Sequence, residues 1–124
     1  MTTRLTRSLI LAIHDEQLAE HGGKPGLRDD QALDAALDTP QTLPLPEQAA
    51  RAALGLVRLR PFVDGNIRTG CVALELFLAL NGLALPASDV EATLTLLHLS
   101  NGELDDAGFI AWVGAHAAQA VRSS

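Results

Sequence analysis

The chain has 124 residues and carries a net charge of −6, from 15 acidic and 9 basic side chains. That length points to a single domain over residues 1–124, able to bury a core without disulfides or a metal. The acidic balance argues against nucleic acid as a partner, since phosphate backbones are bound by basic stripes.

No apolar run approaches the roughly 18 residues that cross a membrane, and Glu75 interrupts the most apolar segment, Cys71–Leu80. The N-terminus lacks the pattern of a secretory signal. Cys71 is the only cysteine and cannot form an intrachain bridge. A soluble cytoplasmic protein is expected. Leu and Ala number 23 and 20, both strong helix formers, while Tyr is absent and Val, Ile and Phe are sparse. The composition predicts an all-α fold.

Punctuation divides the chain into about six helices. The first runs from about Thr3 to His21, with Leu5, Leu9, Ala12 and Ile13 on one face, and Gly22-Gly23 stops it. Asp29 or Asp30 caps a short second helix ending near Asp38. Pro40–Pro46 holds three prolines and reads as an irregular loop. Pro46 suits the first turn of a third helix, which runs to about Leu59 and stops before Pro61. A loop follows, and Asn66 or Ile67 opens a fourth helix that ends at Asn81-Gly82. Ser88 with Glu91 reads as a capping box for a fifth helix to about Leu99. A sixth runs from near Asp105 to about Val121. The fourth helix is apolar on nearly every side, which predicts a compact bundle packed around a buried central helix over about 66–81.

The segment that carries chemistry is Arg60-Pro61-Phe62-Val63-Asp64-Gly65-Asn66-Ile67-Arg68-Thr69-Gly70. It is a polar loop feeding the N-terminus of that buried helix. Unpaired amides and the helix dipole favour an anion there. Gly65 allows close backbone approach, Arg68 can fork onto phosphate oxygens, and Asp64 is the one carboxylate able to hold Mg²⁺ against a polyphosphate. The loop therefore reads as a phosphate-type anion site.

The segment also resembles the Fic/Doc motif, His-Pro-Phe-x-Asp-Gly-Asn-Gly-Arg, with Lys for the last Gly in the death-on-curing branch. Pro61, Phe62, Asp64, Gly65, Asn66, Arg68 and Thr69 match. The likeness extends along the chain. His14, Gly22-Gly23, Pro25-Gly26 and Leu27-Arg28-Asp29 look like the N-terminal signature of the death-on-curing toxins. Asn81-Gly82-Leu83, Ser100–Leu104 and Trp112 look like their C-terminal half.

The resemblance implies an ATP-using enzyme with Mg²⁺. Most Fic proteins transfer AMP to a target hydroxyl. The death-on-curing toxins transfer the terminal phosphate to a threonine of elongation factor Tu and so stop translation. By position, Asp64 is the Mg²⁺-side carboxylate. Gly65, Asn66, Ile67, Arg68 and Thr69 form the phosphate cradle, and Phe62 anchors the loop in the core. A Phd-like antitoxin, whose disordered tail folds on binding, is the implied partner.

Two positions depart from the family. Arg60 stands where the motif has its histidine, the general base, and an arginine stays protonated. Ile67 stands at the Gly-or-Lys position and supplies neither a small residue nor a cation. The chain is therefore expected to be an attenuated or inactive phosphotransferase. The alternatives are a non-catalytic protein that binds nucleotide or antitoxin, and an AMP transferase, which Ile67 disfavours.

Elsewhere, His14 reads as a core or boundary residue that could shape the site, and His21 and His98 as surface residues. His116, four residues after Trp112, reads as a stacking partner. Arg28-Asp29 reads as a cap with a local ion pair, and Cys71 as a small buried residue. No zinc-type spacing occurs. So many Leu and Ala side chains in a small domain predict an exposed apolar groove, for an antitoxin helix or a homodimer.

Overall fold

The computed structural model describes residues 2–119. It is all-α, as the composition predicts, with six helices: α1 (Arg7–His21), α2 (Asp30–Leu37), α3 (Leu45–Leu59), α4 (Asn66–Leu80), α5 (Asp89–Ser100) and α6 (Asp106–His116). Two-residue strands β1 (Leu83–Ala84) and β2 (Ala118–Gln119) pair antiparallel, with Leu83 opposite Gln119 and Ala84 opposite Ala118.

Most helix starts follow local chemistry. Side chains of Thr6, Asp29, Ser88 and Asp105 each accept from an amide three residues on, capping α1, α2, α5 and α6. Pro46 lies in the first turn of α3, where its missing N–H costs nothing.

Two boundaries depart from the sequence expectation. Helix α1 begins at Arg7 rather than near Thr3, because the chain before Thr6 is tied elsewhere. The Thr3 amide donates to Asn81 Oδ1 at 2.7 Å, and Asn81 Nδ2 donates back to the Thr3 carbonyl at 2.9 Å. Helix α6 ends at His116, and extended backbone at Ala117 leads into β2. Pairing with β1 supplies backbone hydrogen bonds that a continued helix would otherwise make. The predicted end at Val121 lies outside the described residues.

The core is shared between α3 and α4, which bury eight residues each. The expectation of a single central helix is refined to a central pair. On one side, α1 and α2 close a cluster of Ile10, Ile13, Leu33, Ala36, Leu56 and Phe62. On the other, α5 and α6 close a second around Val57, Leu74, Phe77, Leu96, Phe109 and Val113. Small residues let the pair be covered tightly. A Cβ at Gly55 would lie 2.8 Å from the Ala36 Cα, so α2 rests against the backbone of α3. The loop between the two central helices, residues 60–65, is thereby held at one end of the bundle.

Candidate functional site

The loop is built from the inside outward. Pro61 and Phe62 are buried, and Phe62 is 1% exposed. The ring of His14, itself buried on α1, stacks on Phe62 with centroids 3.7 Å apart and planes 7° from parallel. His14 Nε2 donates to the Asp64 carbonyl at 2.8 Å; a carbonyl only accepts, so this nitrogen carries a proton. Asn66 closes the turn from the other end. Its Oδ1 accepts from the Phe62 amide at 3.0 Å, and its Nδ2 donates to the Phe62 carbonyl at 2.9 Å. The Asn66 side chain thus holds the loop, and its contribution to an anion site is limited to its backbone.

A second loop braces the first. Leu27 bridges Phe62, with the Arg28 amide donating to the Pro61 carbonyl at 2.7 Å and the Val63 amide to the Gly26 carbonyl at 3.1 Å. The Lys24 amide donates to Asp64 Oδ2 at 2.8 Å. Arg28 caps a helix that is not its own: Nε donates to the Arg60 carbonyl at 2.7 Å and Nη2 to the Leu59 carbonyl at 2.5 Å. This corrects the expected ion pair between Arg28 and Asp29. The guanidinium is spent on the C-terminal carbonyls of α3, where a cation is favoured, while Asp29 caps α2 as expected.

Above this scaffold lies a cleft of about 390 Å³ between the C-terminal end of α3, the loop, the first turn of α4 and one face of α5. Arg60, Asp64, Gly65, Asn66, Ile67 and Arg68 line it, with Val57 and Val63 beside them and Thr93, Leu97 and Ser100 forming the far wall. The structure therefore brings together every proposed site residue except Thr69. Thr69 is fully buried, its amide donates to the Gly65 carbonyl at 3.0 Å, and its hydroxyl has no partner. It lies behind the cleft because the helix turns it inward by position 69. The expected place of Thr69 in the phosphate cradle is corrected on that ground. Gly65 caps α4 at φ +82°, a conformation that favours glycine.

The charges around the cleft are unbalanced. Among the described residues, Arg7 pairs with Asp30 and Asp34, Arg51 with Glu47, and Arg58 with Asp106. Arg28 caps α3, and Arg4 lies against the Gln41 side-chain amide, whose oxygen, once turned toward the guanidinium, accepts from Nε at 2.9 Å and Nη1 at 3.0 Å. Among the described arginines, Arg60 and Arg68 alone have no protein partner, and both line this cleft. Asp64 is the one carboxylate on it. Sequence reasoning missed the α5 wall and the role of Arg28. Thr93, Leu97 and Ser100 recur at helical spacing, but nothing in that spacing ties them to a loop some thirty residues away.

Among the described residues no histidine lines the cleft. His21 and His98 are exposed, and His116 packs on Trp112 with centroids 4.7 Å apart, as expected. Burial pushes the Cys71 thiol up to about 11, which leaves it inert. Among the described residues no group of three His, Cys, Asp or Glu side chains gathers to hold a metal, and no helix is long and apolar enough to cross a membrane.

No curated protein matches the chain. The Fic/DOC family model matches residues 4–78, a span from α1 through the cleft loop and most of α4. With the loop of the matched segment set at the head of the buried α4, and Asp64, Gly65, Asn66 and Arg68 lining one cleft, the chain belongs to the Fic/DOC family.

Proposed function

We propose that the cleft is a nucleotide-polyphosphate site of the death-on-curing type, in a protein whose group transfer is attenuated or lost. The observation that carries this reading is the pair of unpartnered guanidinium groups, Arg60 and Arg68, on a cleft at the N-terminus of α4. Arg68 presents a planar fork suited to phosphate oxygens. The amides of residues 66–68 begin the helix and have no intrahelical acceptor, so they suit the same anion. Val57, Val63, Ile67 and Leu97 give the cleft an apolar side fit for a nucleobase.

Mg²⁺ suits this donor set in one way only. Asp64 is a single carboxylate, and Mg²⁺ commonly takes one or two carboxylates with substrate phosphates and water. Bound there, the ion would neutralise phosphate charge. Asp64 would hold it through the oxygen not engaged by the Lys24 amide.

Transfer to a hydroxyl also needs a group to take its proton. Arg60 stays protonated, and His14 lies beneath the loop with Nε2 engaged by Asp64. Loss of a positioned base typically costs about 10²–10⁴-fold in rate. Elongation factor Tu is the target the branch suggests, and a Phd-like antitoxin the partner. Val90, Leu94 and Leu97 are exposed on one face of α5, with Val63 and Leu59 near the cleft rim, and they offer apolar anchors for an antitoxin helix. A homodimer on the same face is the rival occupant. AMP transfer is the weaker alternative, because Ile67 stands where that chemistry uses glycine.

The test is incubation of elongation factor Tu with Mg-ATP labelled at either the α or the γ phosphate. The unmodified chain should transfer neither label, and Arg60→His/Ile67→Lys should transfer the γ label. Robust transfer by the unmodified chain would overturn the reading of Arg60 as a lost base. Transfer of the α label would move the protein to the AMP branch.

A further inference from the structure

We infer that Arg60 is a phosphate ligand in its own right, so that the position of the missing base has become the second cationic arm of the anion site. The inference rests on the nucleotide reading above and deepens it.

Three observations carry it. First, Arg60 lines the cleft with Arg68, and neither has a protein partner among the described residues, whereas the five other described arginines are all engaged. Second, Arg60 is the one non-glycine residue at positive φ among the described residues, at φ +50° and ψ +61°. This is the left-handed C-terminal cap of α3, a place where glycine is the unstrained choice. A long cationic side chain kept there stands against local preference, and such outliers cluster where a ligand is held. Third, the strained backbone is fastened. Arg28 donates to the Leu59 and Arg60 carbonyls, and its own amide bonds Pro61, so the Arg60 Cα is held from both sides. Arg28 is a positioning residue for this arm.

The consequence is a trade. A guanidinium at position 60 holds phosphate oxygens at any ordinary pH and cannot accept a proton. A histidine there could accept a proton but would lose its charge above about pH 6.5. Affinity and turnover at this position are therefore opposed: the chain binds nucleotide and retains it unchanged.

The experiment is calorimetric titration of Mg-ADP into the full chain and its variants. Arg60→Gly removes the arm and suits the left-handed backbone, so the fold is kept; circular dichroism checks this. It should weaken binding about tenfold, the scale of one charge-assisted contact at a solvent-accessible site. Arg60→Lys should restore part of the loss. Arg60→His should bind weakly at pH 8 and recover as pH falls through about 6.5, while the unmodified chain changes little over the same range. A merely structural role for Arg60 would give no such pH profile. If Arg60→Gly binds Mg-ADP as the unmodified chain does, while Arg68→Ala abolishes binding, the inference falls and the nucleotide site stands. If the unmodified chain fails to bind Mg-ADP, both fall.

Discussion

Two clefts meet at Arg68, and they carry opposite charge. The first holds Arg60 and Arg68 against the single carboxylate of Asp64. The second, about 430 Å³ between α1, α4 and α5, shares Arg68 and Thr93 with the first but is lined by Glu20, Glu75 and Asp89. The acids are placed largely by local structure. Asp89 sits in the first turn of α5, where negative charge suits the helix dipole, and Glu75 lies on the flank of α4. The cations are placed against it. Arg68 sits in the first turn of α4, where positive charge is disfavoured, and Arg60 occupies a backbone that suits glycine. A sequence agrees with its fold at most positions, and positions that work against local stability are where function is to be sought. By that measure the cationic cleft is the better candidate for function: both of its arginines stand against local preference, whereas in the acidic cleft Asp89 agrees with its helix end and only the buried Glu75 carries a cost.

The sharpest way to break this comparison is to reverse Arg68. Arg68→Glu should weaken Mg-ADP binding by more than about a hundredfold, through loss of a charge-assisted fork and added repulsion. The same change should leave the melting temperature near that of the unmodified chain, since the gain of an acid in the first turn of a helix, about 0.3–1 kcal/mol, is offset by repulsion from Glu20, Glu75 and Asp89 across the second cleft. A variant that loses stability and binding together would mean that Arg68 is structural.

A smaller effect separates the scaffold of the cationic cleft from its charges. Asn66→Ala leaves the Phe62 amide and carbonyl without their partners in a buried place. It should cost about 2 kcal/mol in chemical denaturation, with faster hydrogen exchange at the Phe62 amide. No change in stability would show that water replaces both bonds and that the loop is not held as described.

The smallest effect lies in the acidic cleft. Burial, and then the charge of Asp89, raise the Glu75 carboxyl above its ordinary 4.5. The folded state therefore binds this proton more readily than the unfolded chain. The penalty for a charged Glu75 is absent below pH 4.5 and grows as pH rises through the raised folded value. Glu75→Gln should raise the melting temperature slightly at pH 7, with the gain vanishing as pH falls below 4.5. A gain that persists at pH 4 would point to packing instead of charge. Mg-ADP affinity should be unaffected, which separates the two clefts once more.

Much of the helix inventory was legible because it rests on local chemistry. Caps at Asp29 and Ser88, proline in the first turn of α3, and the stop at Asn81-Gly82 act within a few residues. The cleft loop was legible for the same reason: Phe62, Asp64, Gly65, Asn66 and Arg68 lie within seven positions, and the turn into α4 must bring them together. What the sequence could not specify depends on partners distant in the chain. The C-terminal end of α6 yields to a strand because Leu83–Ala84 lies alongside, and Arg28 caps α3 because the loop before α2 crosses beneath residue 60. Thr69 is withdrawn from the cleft by the turn of α4 against its neighbours, and the α5 wall reaches the loop only through packing on the central pair. The amino-acid order by itself determined which residues are helical and which loop carries the charge. Tertiary packing alone decided which guanidinium groups are left without a partner, because pairing depends on distances that close only when the helices assemble.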